Sequence, residues 1–175
     1  MAAFSAGQTL TAADLNAVMP VWWIKSADQN VNNSTTLTPD TELNLPVTAN
    51  TTYKVDAHIL AAEAVGTAMD LKIAWSMPAS CILDLAVVGP HTAWNASAAN
   101  LEVEWSAWQA ETGTTTATRS FGSTVSAVFS YHFRGVLRVG ASAGFFRLQW
   151  AQNTATVGNL AVKAGSSLFL TPAPA

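Results

Sequence analysis

Along most of this chain the apolar residues fall on every second position. "TYKVDAHILAAE" (Thr52–Glu63) sets Tyr53, Val55, Ala57 and Ile59 against Lys54, Asp56 and His58. That period of two is the signature of a strand with one buried face. "MDLKIAWSMP" repeats it, with Leu71, Ile73, Trp75 and Met77 opposite Asp70, Lys72 and Ser76. "CILDLAVVG" predicts a mostly apolar strand ended by Gly89-Pro90, and "NLEVEWSAW" puts Leu101, Val103 and Trp105 opposite Glu102, Glu104 and Ser106. Parity places Trp75 and Trp105 in the core. "TVSAVFSYHFRGVLRV" then holds one row, Val125, Ala127, Phe129, Tyr131, Phe133, Leu137 and Val139. Gly135 lies in that row and marks a bend or bulge where another backbone comes close.

The remaining segments are shorter. "VWWIKS" (Val21–Ser26) is β-branched and aromatic, which suits a strand. "ELNLPV" alternates Leu43, Leu45 and Val47, and Pro46 demotes it to an edge strand or a strand end. After the "GASAG" turn, "FFRLQWAQN" sets Phe146, Leu148 and Trp150 against Arg147 and Gln149, while Phe145 makes that second face partly apolar. "NLAVKAGSSLFLTP" predicts a last hairpin-like pair around Gly165. "NVNNSTTLTPD" reads as a turn-rich connection, and Glu111–Ser123 as a small-residue loop, mobile or at a contact. About nine or ten strands with frequent turn signals predict an all-β fold, an antiparallel sandwich or jelly roll.

One segment breaks the pattern. In "FSAGQTLTAADLNAVMP" (Phe4–Pro20), Thr11 is a good N-cap and Asp14 stands at N3, a capping box with Asp in the acidic slot. Leu10 and Leu15 stand at the staple positions N′ and N4, and Pro20 stops the helix, which spans Ala12 to Val18. Two turns of helix are not stable alone in water. The stripe Leu15, Val18 and Met19 therefore needs a surface: its own domain, or a larger body to which the peptide docks. The chain divides into an anchoring peptide, residues 1–21, and a β-sandwich domain, residues 22–175. The docking candidates are Phe4, Leu10, Leu15, Val18, Met19, Trp22 and Trp23.

Composition sharpens this. Half of the 175 residues are hydrophobic, but only 11% are charged, against about a quarter in ordinary globular chains. A domain so poor in charge hides surface, and self-association is the simplest way to do so. The net charge of −3 offers no basic patch for nucleic acid. No run reaches the length of a membrane span. The N-terminus lacks a basic region followed by an apolar run, so synthesis in a cytoplasm is expected. Cys81 is the only cysteine and is expected to act as a small core residue.

Candidate chemistry is sparse. His58, His91 and His132 lack metal-ligand spacing, and His58 and His132 fall on the polar parity of their strands. No G-x-S-x-G elbow is present. Glu102 and Glu104 share a strand face, which alone does not make a glycosidase pair. No catalytic residue, metal or cofactor is expected. Trp94, Trp108 and Trp150 are candidates for an aromatic platform that stacks on sugar rings or fills a protein interface. Phe145 and Arg147 are candidates for an oligomer interface.

The strings "FSAGQTLTAADLNA", "NSTTLTPDTELNLPVTANTTYKVDAHILAAEA", "DLKIAWSMPAS", "FRGVLRVGASAGFFRLQWAQNT" and "VKAGSSLFL" together cover most of the chain. They resemble a family of small virion proteins of bacteriophages that infect actinobacteria. Leu148-Gln-Trp-Ala-Gln-Asn153 and Ala164-Gly-Ser-Ser-Leu168 are the most distinctive. The resemblance implies a structural role in a virion, a jelly roll like that of tumour-necrosis-factor-type trimers, and no catalytic residues. It leaves open a tail-associated (minor tail or fibre) protein or a capsid decoration protein. A carbohydrate-binding module that reads host-surface glycan is the reading from a different class.

Overall fold

A computed structural model describes residues 7, 9–64, 69–90, 103–123 and 127–173, without the side chains of residues 13, 17 and 103–110. The elements are α1 (Ala12–Val18), β1 (Val21–Ile24), β2 (Gln29–Asn32), β3 (Thr38–Val47), β4 (Thr52–Glu63), β5 (Leu71–Pro90), β6 (Val103–Thr115), β7 (Arg119–Phe121), β8 (Phe129–Arg138), β9 (Gly144–Gln152), β10 (Asn159–Val162) and β11 (Ser167–Pro172).

The pairing is nested. β1 pairs with β11, β2 with β10, β3 with β9, β4 with β8 and β5 with β7, all antiparallel. This is one long hairpin rolled upon itself, the all-β jelly-roll sandwich that the alternation predicts. Further ladders knit the turns of the roll, so the sheet runs β1-β11-β4-β8-β5-β9-β3. It folds into two layers at β5. Leu71–Ser76 pairs with β9, whereas Ile82–Val88 pairs with β8. The bend between them carries Ser80 at φ 63°. The two strands predicted from "MDLKIAWSMP" and "CILDLAVVG" are thus one strand that changes layer. Pro78 looks like punctuation in sequence, yet it only turns the corner.

Inside lie the described residues that parity assigned to the core on β4, β5 and β9, whereas the side chain of Trp105 lies outside the described residues. Trp75 is fully buried, stacked on Phe146 at 4.8 Å between ring centroids and edge-on to Phe133 at 5.5 Å. These rings join β5, β8 and β9 across the layers. Cys81 is buried and free, and burial raises its thiol pKa. The apolar row of β8 begins at Phe129, since Ala127 precedes the strand and is exposed. Gly135 marks a close approach rather than a bulge. A Cβ there would lie 1.9 Å from the carbonyl oxygen of Asp84 on β5, and the ladders on both sides run through it in register. Pro46 does sit on an edge strand: β3 ends the sheet, and among the described residues it pairs with β9 alone.

Three connections differ from expectation. The turn-rich Asn segment contains β2, whose Val31 is buried against β10 and the core. The Glu111–Ser123 loop is instead the end of β6 and all of β7. There Phe121 is fully buried, and Thr116 both donates to and accepts from the Trp75 backbone. Threonine suits strands because it is β-branched. The hairpin around Gly165 does not form. β10 and β11 lie end to end along β4, interrupted by Gly165 at φ 89°.

Candidate functional site

The N-terminal segment has the local structure its sequence dictates. Asp14 N–H donates to Thr11 Oγ1 at 3.2 Å, and Thr11 N–H donates to Asp14 Oδ2 at 2.9 Å. The capping box is complete over the expected helix. The Thr11 hydroxyl, which donates to Asp14 Oδ2 at 2.6 Å, lowers the Asp14 pKa most, and the Thr11 N–H lowers it further. The helix does not bury its stripe. Leu10, Leu15, Val18 and Met19 are all exposed, and so are Trp22, Trp23 and Ile24 on β1. Only one side of the helix end meets the domain. Asn16 and Met19 line a cavity of about 210 Å³ with Val21, Pro46, Tyr53 and Pro172. Phe4 lies outside the described residues.

β1 is the other edge of the sheet. Trp22 faces outward and stacks on Phe169 of β11, 5.8 Å between centroids and 11° between planes. Trp23 donates from Nε1 to Glu42 Oε2 at 3.3 Å. Glu42 also accepts from Ser26 N–H and Ser26 Oγ, each at 2.8 Å. The Ser26 N–H is the foremost cause that pulls its carboxyl down to about 2. The outcome is a contiguous stretch of exposed apolar side chains on a well-anchored edge. Half-buried Phe169 flanks it and was not expected from sequence; its parity in "SLFL" opposite two core leucines was the available signal.

On the other layer, Phe145 is 52% exposed, paired with Pro46 across the β3–β9 ladder. Arg147 stands beside it, opposite Asn44. Arg147 Nε and Asn44 Oδ1 are both buried without a hydrogen-bond partner among the described residues. Unpaired buried polar atoms are costly.

Of the three sugar-platform candidates, the structure removes Trp150. Trp150 is fully buried among the core residues of β9, because it shares parity with Phe146 and Leu148; it cannot stack on a sugar. Trp94 and the side chain of Trp108 lie outside the described residues, as do Glu102 and the side chain of Glu104.

The outer face of β4 and β8 holds a second polar group. His58 and His132 are cross-strand partners, stacked at 4.4 Å. Ser130 Oγ lies 2.6 Å from His58 Nε2 and 3.0 Å from His132 Nε2. Burial lowers the His58 pKa, and the charge of His132 lowers it further, against a smaller opposing effect of Asp56. A cavity of about 360 Å³ beside them is lined by Ala86, Val88, His132 and Arg134. A hydroxyl between imidazoles begins a nucleophilic centre, but a triad needs a carboxylate to orient the base. The nearby Asp56 pairs instead with Arg134 Nε at 3.2 Å. Among the described residues no group of three or more His, Cys, Asp or Glu could hold a metal ion, and no helix is long and apolar enough to cross a membrane.

No family model and no curated protein matches this chain. Solved structures of infectious bursal disease virus overlap with it weakly. One, of the Gt strain, is 13% identical with a TM-score of 0.20, covering 89% of this chain and 41% of that one. A Gx strain structure gives 11% and 0.20, and the VP2 subviral particle 10% and 0.19. The chain spans 41–43% of the length of these structures, and at this overlap the fold rests on its own strand pairing.

Proposed function

We propose that this chain is a non-enzymatic structural protein of a bacteriophage virion, associated with the tail. Its N-terminal segment docks into the particle, and its sandwich projects outward as a homotrimer. The observation that carries this reading is the exposed apolar run from Leu10 to Ile24. Part of it is the stripe of a helix whose cap is complete, and that stripe stays exposed among the described residues. Water is a poor environment for such a stripe, and a neighbouring virion protein supplies the missing surface. The phage assignment comes from the sequence resemblance. The trimer is supported by exposed Phe145 on the outer face of β9.

The test is deletion of residues 1–20. The remaining domain is expected to fold with an unchanged unfolding midpoint and to be missing from purified particles. A truncated chain that unfolds, or that still joins the particle, overturns the docking reading. Immunolabelled particles imaged by electron microscopy then locate the full chain. Label on the head in place of the tail makes it a capsid decoration protein.

A further inference from the structure

Lys25 follows β1, and Asp40 lies on β3, so the pair bridges the two open edges of the rolled sheet. Both side chains have 0% exposure, and Lys25 Nζ lies 3.1 Å from Asp40 Oδ1. Glu42 Oε1 is 3.6 Å from the same Nζ. A buried ion pair is costly unless the remaining polar atoms are satisfied. Here they are not. Asp40 Oδ1 accepts from Lys25 Nζ and from the N–H groups of Glu42 and Leu43, each amide at 2.9 Å. Asp40 Oδ2 is buried and has no hydrogen-bond partner among the described residues. One carboxylate oxygen is thus held by three donors and the other by none.

That asymmetry is the geometry of an acyl centre. We propose that Lys25 and Asp40 condense to an intramolecular isopeptide bond, with ionised Glu42 as the positioning residue that holds Nζ beside the carboxyl group. Lys25 Nζ attacks Asp40 Cγ. In the tetrahedral intermediate the negative charge falls on Oδ1, where the Glu42 and Leu43 amides already point, as in an oxyanion hole. The Nζ–Cγ bond forms and the Cγ–Oδ2 bond breaks. Of the three ammonium protons, two leave with Oδ2 as water and one stays on the amide nitrogen. One of those two passes from Nζ to the unpartnered Oδ2 first, which leaves a neutral amine to attack and a protonated oxygen to depart. No oxidant or other reactant is needed. Enforced proximity supplies the rate, and exclusion of water from the site opposes the reverse hydrolysis.

The product removes the unpaired oxygen, replaces two buried charges by one neutral amide, and ties β1 to β3 covalently. Asp40 is available for this because it sits in the irregularity of β3 between Pro39 and Asn44. There its carboxylate receives amide N–H groups that do not join the ladder.

The test is mass spectrometry of the full chain as purified. The wild type is expected lighter than its sequence by one water. Trypsin is expected to leave the bond after Lys25 uncut, giving one looped peptide through Lys54 that lacks one water. Lys25→Arg keeps the cation but cannot form the amide, so it should show its full mass. Glu42→Gln should show the full mass or a slowly growing dehydrated fraction. Wild type at full mass, or cleavage after Lys25, overturns the proposal. So does loss of water that persists in Lys25→Arg, which would place the dehydration elsewhere. The peptide map needs no variant, so it decides the question even if a substitution prevents folding.

Discussion

His58 shows how one side chain's neighbours become a property of the whole domain. Its ring is partly buried, pressed against His132 and bonded to Ser130. Burial, then the charge of His132, lowers its pKa below 6.5. As pH falls through 6.5, the unfolded chain takes up a proton that folded His58 still refuses. The unfolded state then binds more protons, so stability falls with pH. The loss begins near pH 6.5 and levels off once the folded imidazole also protonates. His58→Gln is expected to flatten this part of the profile and leave stability above it little changed. Urea midpoints of both proteins on either side of pH 6.5 measure the effect. An unchanged slope in the variant would assign the pH dependence to other groups. The polar parity of His58 and His132 was readable in sequence; their pairing was not, because register between distant strands is invisible in a one-dimensional pattern.

Between elements, the tightest constraint is the contact of β8 with β5. Gly135 faces Leu85 in the ladder, and its missing Cβ leaves room for the Asp84 carbonyl. Gly135→Ala must push apart two central strands that each pair on both sides. It is expected to cost about 1–3 kcal/mol or more, the scale of overpacking a filled interior, read as a lower denaturation midpoint with an unchanged slope. A neutral effect would mean that the strands can separate freely at this point. This glycine was legible because it interrupts an otherwise large apolar row. The 20-residue β5 was less legible, since Pro78 and a left-handed Ser80 mimic the end of a strand. Its continuity depends on β9 holding one half and β8 the other.

For the molecule as a whole, the question is what covers the apolar surface. Closed symmetry covers it without presenting a repeating edge. Phe145, with Arg147 beside it, is the proposed axis contact. Phe145→Asp would set three carboxylates close together in a buried interface, where unpaired charge is strongly destabilising. Sedimentation equilibrium is expected to give a trimer for the wild type and monomers for the variant. A wild-type mass near the single-chain 18.4 kDa would remove the trimer, and an unchanged trimer in the variant would remove Phe145 from its axis. Phe145 is on the polar parity of β9, and this is why a core-minded reading of the alternation flags it as anomalous.

The sequence alone determined what depends on neighbours a few residues apart. The alternation set which side chains of β4, β8 and β9 face inward, because strand geometry turns every second residue to the same side. The capping box and Pro20 set the ends of α1, because caps act within one turn. Tertiary structure decided everything that depends on which distant strands meet. It made β2 and β7 from segments that read as loops, and laid β10 and β11 along β4. It also brought Lys25 to Asp40, 15 positions apart in sequence, inside a closed edge. Nothing local distinguishes that lysine from an exposed one; only the nested roll removes it from water and sets it against an acyl carbon.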